Sequence, residues 1–208
     1  MRPSVAAIGQ APARAACRLK GGVWPWRPHP MSNPLDDASE LRKDPVLDRW
    51  VIIAASRGKR PTDFTSAPEP NKSAGCPFCG GNEAKTPPEI YAVRACGTGA
   101  NAPGWEVRVV QNKFPALTIE ASLRRSGIGL LDRMGGFGAH EVIIETPHHE
   151  EDLALASIDH INSVFGVYRE RLVDLRRDKR FHHLIVFRNY GSAAGASLAH
   201  PHTQLIAL

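Results

Sequence analysis

The 208-residue sequence predicts an α+β domain in which one long helix crosses an antiparallel sheet of short strands. Two patterns favour this class: residues 157–178 have helical periodicity, and six shorter apolar runs are separated by turn residues. The composition is that of a folded domain, since 42% of the residues are hydrophobic and 23% are charged. No run of about 18 or more apolar residues occurs, so no membrane-spanning helix is expected.

The strand predictions begin with residues 50–55, an apolar and β-branched run that ends at the basic turn 56–61. The other predicted strands are 89–95, 105–111, 139–146, 182–189 and 202–207. Residues 65–75 are rich in Pro, Ser, Ala and Gly and are predicted to form a loop. The stretch 118–138, which carries several Gly and Arg residues, is predicted to be a mobile loop.

The helix prediction rests on apolar residues that step by three and four positions, which places them in one stripe along a helix. We expect this stripe to be buried, with the charged residues of 157–178 on the solvated face. The stripe consists of Ile158, Ile161, Phe165, Tyr168, Leu172 and Leu175.

The net charge of +5 arises in the first 30 residues, which carry five basic residues and no acidic one. The remaining 21 basic residues equal the 21 acidic residues in number, so the rest of the chain is neutral and a nucleic-acid partner is not expected. Residues 1–39 are Ala-, Pro- and Arg-rich, lack the apolar core of a secretory signal, and are predicted to be a basic, disordered extension, translated from a start codon upstream of Met31.

The best metal-ligand pattern is Cys76-Pro77-Phe78-Cys79-Gly80. Two residues between the cysteines let both thiolates reach one tetrahedral ion at about 2.3 Å. A redox pair is the competing interpretation, but such a pair normally opens a helix in a βαβ pattern, whereas Pro-rich loop surrounds this one. The histidines that could complete the site are His140, His148, His149, His160, His182, His183, His200 and His202.

The most informative segment is 189–204. Residues 191–197 are all Gly, Ala or Ser, and such a loop lets backbone N–H groups approach a phosphate closely. His200, His202 and Gln204 then alternate along an extended segment, so they share one face at a spacing of about 6.6 Å. This arrangement indicates phosphate chemistry and disfavours the alternative interpretation, two ordinary surface histidines on an edge strand.

Together these motifs resemble the galactose-1-phosphate uridylyltransferase family, a branch of the histidine-triad superfamily. The likeness runs in order from about residue 40 to residue 208. It is carried by Glu40-Leu41-Arg42-Lys43-Asp44-Pro45, Trp50-Val51-Ile52, Arg57, Lys59-Arg60-Pro61, the C-x-x-C pair, Asn112-x-Phe114-Pro115-Ala116-Leu117, Gly138-x-His140-Glu141-Val142, Asn189 and His200-Pro201-His202-x-Gln204.

The resemblance implies a histidine-triad-like antiparallel sheet, a half-barrel with one crossing helix, over 40–208. It further implies that this region is the N-terminal half of the family and that the C-terminal half is missing. The resemblance also implies a structural Zn²⁺. Its ligands would be Cys76, Cys79, His149 and His200, with His148 competing for the third position.

The resemblance further implies that His202 is the nucleophile and that Gln204, Ser197 and Asn189 hold the phosphoryl oxygens. Arg57, Arg60 and Asn112 match nucleotide contacts. An amide such as Gln204 can donate a hydrogen bond but cannot act as a general acid or base near pH 7, so transfer to a second phosphate is favoured over hydrolysis.

The implied function is transfer of UMP from UDP-glucose to galactose 1-phosphate through a uridylyl-histidine. The run Ala194-Gly195-Ala196-Ser197 also resembles the branch that acts as an ADP-glucose phosphorylase, so an adenylyltransferase stays open. Two further classes of protein fit the motifs: a zinc-folded fragment without activity, and a zinc-knuckle nucleic-acid-binding module, which the neutral body disfavours. The expected partners are a sugar nucleotide and a sugar 1-phosphate. A homodimer and a cytoplasmic location are expected as well.

Overall fold

The computed structural model describes residues 39–54 and 75–208. The predicted N-terminal extension therefore lies outside the described residues, apart from Ser39, as do Arg57 and Arg60. The described elements are β1 (Glu40–Lys43), β2 (Trp50–Ile53), β3 (Glu89–Arg94), β4 (Trp105–Gln111), β5 (Arg125–Ile128), β6 (Leu131–Gly135), β7 (Ala139–Ile144), α1 (Ile158–Leu175), β8 (Leu184–Phe187) and β9 (His202–Ala207). All strand pairs are antiparallel, and the predicted α+β class is confirmed.

The larger sheet has the strand order β3-β4-β7-β9-β8. Its central strand β7 is buried at all six positions, because both faces of the sheet are covered. On one face Ile143 and Leu205 join a core with Val164 and Val167 of α1. On the other face Val142 and other apolar side chains pack with the segment around Cys76 and Phe78. His202 and Gln204 lie on this second face, since Val142 is opposite Gln204 in the β7–β9 register.

Helix α1 begins where the Ser157 side chain accepts a hydrogen bond from the His160 backbone N–H, which satisfies one free donor of the first turn. The predicted helix is confirmed, but the predicted buried stripe is wrong in part. Ile158 is 76% exposed and Phe165 is 58% exposed. The side chains buried against the sheet are Val164, Val167, Arg171 and Leu175. Arg171 can face inward because its guanidinium meets the buried Glu141 carboxylate of β7 at 2.7 and 2.9 Å.

The prediction of a mobile loop over 118–138 is wrong. Strands β5 and β6 form a hairpin there, with Gly129 at a positive φ of 60° in the turn. Strand β6 also pairs with β1, and the four-stranded sheet has the order β2-β1-β6-β5. Because β6 pairs with β1, which is far away in sequence, the local composition of 118–138 did not indicate a strand. Across the described ranges, no helix is long and apolar enough to cross a membrane.

Candidate active site and metal centre

A cluster of four potential metal ligands lies beside the first residues of β9. The cluster consists of Cys76, Cys79, His149 and His200, and their ligand atoms all lie within 4.8 Å of one another. His148 is not part of it, and its side chain is exposed. The tertiary structure therefore brings together the four residues that the sequence resemblance implied.

Hydrogen bonds made by its own backbone groups hold the turn that carries the two cysteines, which we call the cysteine turn. The Cys76 carbonyl accepts from the Asn82 side chain at 2.8 Å and from the Cys79 backbone N–H at 3.4 Å. The Gly80 backbone N–H donates to the Pro147 carbonyl at 3.0 Å. This last bond ties the cysteine turn to the segment that carries His149.

The hydrogen bonds of His200 turn its second ring nitrogen towards the cysteines. Its Nε2 lies 2.8 Å from the Thr146 carbonyl, which can only accept, so Nε2 carries the proton. The Nδ1 lone pair then lies 3.6 Å from Cys79 Sγ, and His149 Nδ1 lies 3.4 Å from the same sulfur. Burial, together with the nearby histidines, lowers the pKa of His200 to about 4, which keeps the ring neutral as a ligand must be.

Without an ion, burial and the neighbouring Cys76 raise the pKa of Cys79 to about 11. A cation would have to displace the thiol protons on binding, as thiolate sites do. Two thiols and two imidazoles that converge on one point are compatible with metal binding.

His202 begins β9 and is only 7% exposed. Its Nδ1 lies 2.8 Å from the His200 carbonyl oxygen, so Nδ1 donates and Nε2 keeps its lone pair. The ring also contacts Phe78, from the cysteine turn, with centroids 5.3 Å apart. The imidazole is thus fixed in one tautomer and packs against the cysteine turn.

A cavity of about 340 Å³ opens beside this ring. His149, Asp152, Arg188, Asn189 and His202 are among the residues that line it. Asn189, predicted as a phosphoryl contact, thus shares a cavity with the predicted nucleophile. The remaining walls include Gly191 and the segment 198–201.

Arg188 is a cation in this cavity and was not among the predicted site residues. Its guanidinium lies 3.4 Å from Glu145 Oε2 and 3.7 Å from Asp152 Oδ1, and it lies over the Tyr190 ring at 5.5 Å. Glu145 is 1% exposed, so Arg188 neutralises a buried carboxylate. The hydrogen bond from the Ala154 backbone and the nearby Arg188 lower the pKa of Asp152. Its position just before Asn189 was the only sequence signal that could have indicated Arg188.

Gln204 is buried two residues beyond His202, and its Oε1 lies 2.9 Å from Nε2 of His140 on β7. Asn112, predicted as a nucleotide contact, is adjacent: its Nδ2 lies 3.0 Å from the same His140 nitrogen, and its Oδ1 accepts from the Phe114 backbone N–H. From the sequence, His140 is one of the histidines that could complete the metal site, but in the structure it lies outside the Cys/His cluster.

Ser197, another predicted phosphoryl contact, lies in an exposed part of the loop that precedes β9. This loop contains a short 3₁₀ turn at Ser192–Ala194, and Gly191 and Gly195 have positive φ values of 75° and 79°. These conformations explain why the loop needs glycine at both positions.

Comparisons with known proteins show which family the chain resembles. A family model for the galactose-1-phosphate uridyl transferase N-terminal domain matches residues 31–208. The ADP-glucose phosphorylase of Arabidopsis thaliana is 37% identical over 178 residues, which are 83% of this chain and 49% of that protein. The galactose-1-phosphate uridylyltransferase of Thermotoga maritima is 29% identical over 170 residues, which are 81% of this chain and 46% of that protein.

Solved structures are similar as well. A crystal structure of an ADP-glucose phosphorylase from Arabidopsis thaliana with bound ADP-glucose matches with a TM-score of 0.53 at 34% identity, covering 82% of this chain and 49% of that one. A uridylyltransferase structure matches with a TM-score of 0.58 at 25% identity, covering 81% and 45%. The chain spans about half the length of the curated relatives it matches. Since the family model covers most of it, the chain belongs to the galactose-1-phosphate uridyl transferase family, as an N-terminal domain.

Proposed function

We propose that this chain carries the nucleotidyl-transfer site of a sugar-nucleotide transferase, with His202 as the nucleophile. The supporting observation is the bond between His202 Nδ1 and the His200 carbonyl, which makes Nε2 the unprotonated nitrogen of a ring that lines a cavity with Arg188. A fixed, neutral imidazole in such a setting is suited to nucleophilic catalysis.

In the first step Nε2 of His202 attacks the α-phosphorus of the sugar nucleotide. A P–N bond forms, the bond to the bridging oxygen breaks, and the sugar 1-phosphate leaves with that electron pair. The proton on Nδ1 stays in place, and the His200 carbonyl stabilises the positive charge that develops on the ring. In the second step an oxygen of another phosphate attacks the same phosphorus and restores the imidazole.

The neighbouring polar residues support the reacting phosphoryl group in this proposal. Gln204, Asn189 and Ser197 donate hydrogen bonds to its oxygens, and Arg57, Arg60 and Asn112 contact the nucleotide. Since Gln204 cannot supply a proton near pH 7, the acceptor must bring its own nucleophilic phosphate. The unit that performs this chemistry is residues 40–208.

We further propose that Cys76, Cys79, His149 and His200 hold Zn²⁺. Ligands around a tetrahedral zinc ion lie about 3.3 to 3.8 Å apart. The distances of 3.4 and 3.6 Å from Cys79 Sγ to the two imidazoles fall within that range. With four protein ligands, the ion would supply structural support at the start of β9 rather than activate water.

UDP-glucose with galactose 1-phosphate is the first substrate pair to test. We propose that the enzyme is a cytoplasmic homodimer of galactose metabolism. ADP-glucose is the alternative donor, and the 37% identity to an ADP-glucose phosphorylase is the reason to test it alongside. The expected partners are therefore a sugar nucleotide and a sugar 1-phosphate, with no nucleic acid and no membrane.

Intact-mass spectrometry of the zinc-loaded chain, mixed with UDP-glucose or with ADP-glucose and no acceptor, tests the proposal. We expect one sugar nucleotide to add a nucleotidyl group and so to identify the base. The adduct should be absent from His202→Asn and present in His183→Asn, since His183 is an exposed histidine outside the cavity.

Failure to form an adduct with either donor, by a folded chain that binds zinc, would refute the proposed activity. In that case the chain would be a zinc-folded domain without activity of its own. An adduct that persisted in His202→Asn would instead refute the role of His202.

A further inference from the structure

His140 is 2% exposed, and both of its ring nitrogens are engaged. The Ala116 backbone N–H donates to Nδ1 at 3.0 Å, and Nε2 lies 2.9 Å from Gln204 Oε1. In the register of β7 and β9, His140 is opposite Ile206, so it is the diagonal neighbour of Gln204 on the same face of the sheet.

These contacts determine the tautomer of His140. A backbone N–H can only donate, so Nδ1 must be the unprotonated nitrogen and Nε2 must carry the hydrogen. Two side-chain amides lie near Nε2: the Asn112 Nδ2 is a donor and cannot accept, whereas Gln204 Oε1 can. The His140 N–H therefore points at Gln204 Oε1.

The same bond fixes which way the amide of Gln204 faces. Its oxygen is held by His140, so its NH₂ group is the end that remains for a ligand. Within residues 39–54 and 75–208 this is the one hydrogen bond recorded for the Gln204 side chain. Rotation of that amide by 180° would present an oxygen to an anionic phosphoryl group and would repel it.

We propose that His140 is a positioning residue for nucleotidyl transfer: its Nε2–H holds Gln204 so that the amide NH₂ donates to the phosphoryl group on His202. This inference rests on the proposed function. It adds a residue that never touches the substrate and acts only through Gln204.

Two substitutions separate this role from the support that His140 gives to Ala116. In His140→Asn, the short side chain can place its oxygen near the position of Nδ1, so the bond from Ala116 is retained and the donor to Gln204 is lost. In His140→Gln, the longer side chain can place an NH₂ group near the position of Nε2, so the donor to Gln204 is retained.

The experiment measures the rate at which the nucleotidyl adduct forms in the zinc-loaded chain. We expect His140→Asn to reduce the rate about 10- to 100-fold, since a hydrogen bond to a charged group is lost, and His140→Gln to restore most of it. In a Gln204→Ala background, His140→Asn should cause no further loss. Equal rates in wild type and His140→Asn, or an additional loss in the Gln204→Ala background, would overturn the proposal.

A second measurement does not depend on activity. Imidazole ¹⁵N spectra of the resting chain should show His140 protonated at Nε2, and the side-chain amide signal of Gln204 should shift in His140→Asn and return towards wild type in His140→Gln. If wild type forms no adduct, the proposed function fails and these spectra decide the positioning role. Protonation at Nδ1, or a Gln204 signal unchanged in His140→Asn, overturns it.

Discussion

The rings of Phe78 and His202 are in contact, with their centroids 5.3 Å apart and their planes inclined at 62°. Phe78 lies between the two cysteines of the cysteine turn and also meets the His200 ring, with the ring centroids 6.0 Å apart. One aromatic side chain therefore joins the Cys/His cluster to the proposed nucleophile. A change in the position of the cysteine turn should therefore move the His202 ring, because Phe78 packs against it.

Truncation of Phe78 should consequently affect both stability and chemistry. We expect Phe78→Ala to lower the free energy of unfolding by about 3 kcal/mol, because it opens a cavity beneath two histidines. It should also slow formation of the His202 adduct. Urea unfolding and intact-mass kinetics measure the two effects, and Phe78→Leu, which fills most of the volume, is the matched control. An adduct rate equal to that of wild type in Phe78→Ala would contradict this coupling.

Removal of the metal should destabilise the fold. We expect about one zinc ion per chain. A chelator should remove this ion and lower the melting temperature by a large amount, because the binding energy of a structural zinc contributes to folding. Cys79→Ser should abolish zinc binding, whereas Cys96→Ser, at an exposed cysteine outside the cluster, should not. Elemental analysis combined with thermal unfolding measures this. Full zinc content in Cys79→Ser would exclude the proposed ligand set.

A buried ion pair between Arg171 of α1 and Glu141 of β7 joins the helix to the sheet. We expect the removal of one partner to lower the free energy of unfolding more than the removal of both. Burial alone would lower the pKa of Arg171, but its hydrogen bonds and charge pairing with Glu141 outweigh this and raise it. Arg171→Leu leaves the Glu141 carboxylate buried without its partner, and we expect a loss of about 3 to 5 kcal/mol.

The double variant Arg171→Leu with Glu141→Leu should be more stable than Arg171→Leu alone, since no buried charge remains. Arg169→Leu, at an exposed position of the same helix, is the control and should change stability by less than about 0.5 kcal/mol. Denaturant unfolding of the four proteins, wild type included, supplies the comparison. A double variant no more stable than Arg171→Leu would disprove the asymmetry.

Arg188 should contribute to the binding of an anionic ligand in the cavity. We expect Arg188→Met to weaken sugar-nucleotide binding about tenfold or more, because a charge-assisted contact to phosphate is lost. Arg188→Lys should retain part of the affinity, and Arg180→Met, at an arginine outside the cavity, should leave it unchanged. Calorimetric titration with the sugar nucleotide that forms the adduct measures these affinities. Unchanged affinity in Arg188→Met would remove Arg188 from the binding site.

The local sequence determined the elements whose signals are contained in a short stretch of chain. The predicted strands at 105–111 and 202–207 coincide with β4 and β9, and the one long helix formed where its periodicity placed it. The C-x-x-C turn and the alternation of His202 with Gln204 are also local, because tight turns and period-2 strands follow from backbone geometry alone.

The tertiary structure decided everything that depends on partners far apart in sequence. The hairpin of β5 and β6 exists because β6 pairs with β1, about ninety residues earlier. The inward face of α1 includes Arg171 rather than Phe165, because the buried carboxylate of Glu141 lies opposite it. Three further contacts also join distant segments. His149 rather than His148 lies with the two cysteines, Phe78 packs against His202, and His140 contacts Gln204. A residue's type limits which contacts it can make, but only the packing of sheet, helix and cysteine turn determines which of those contacts form.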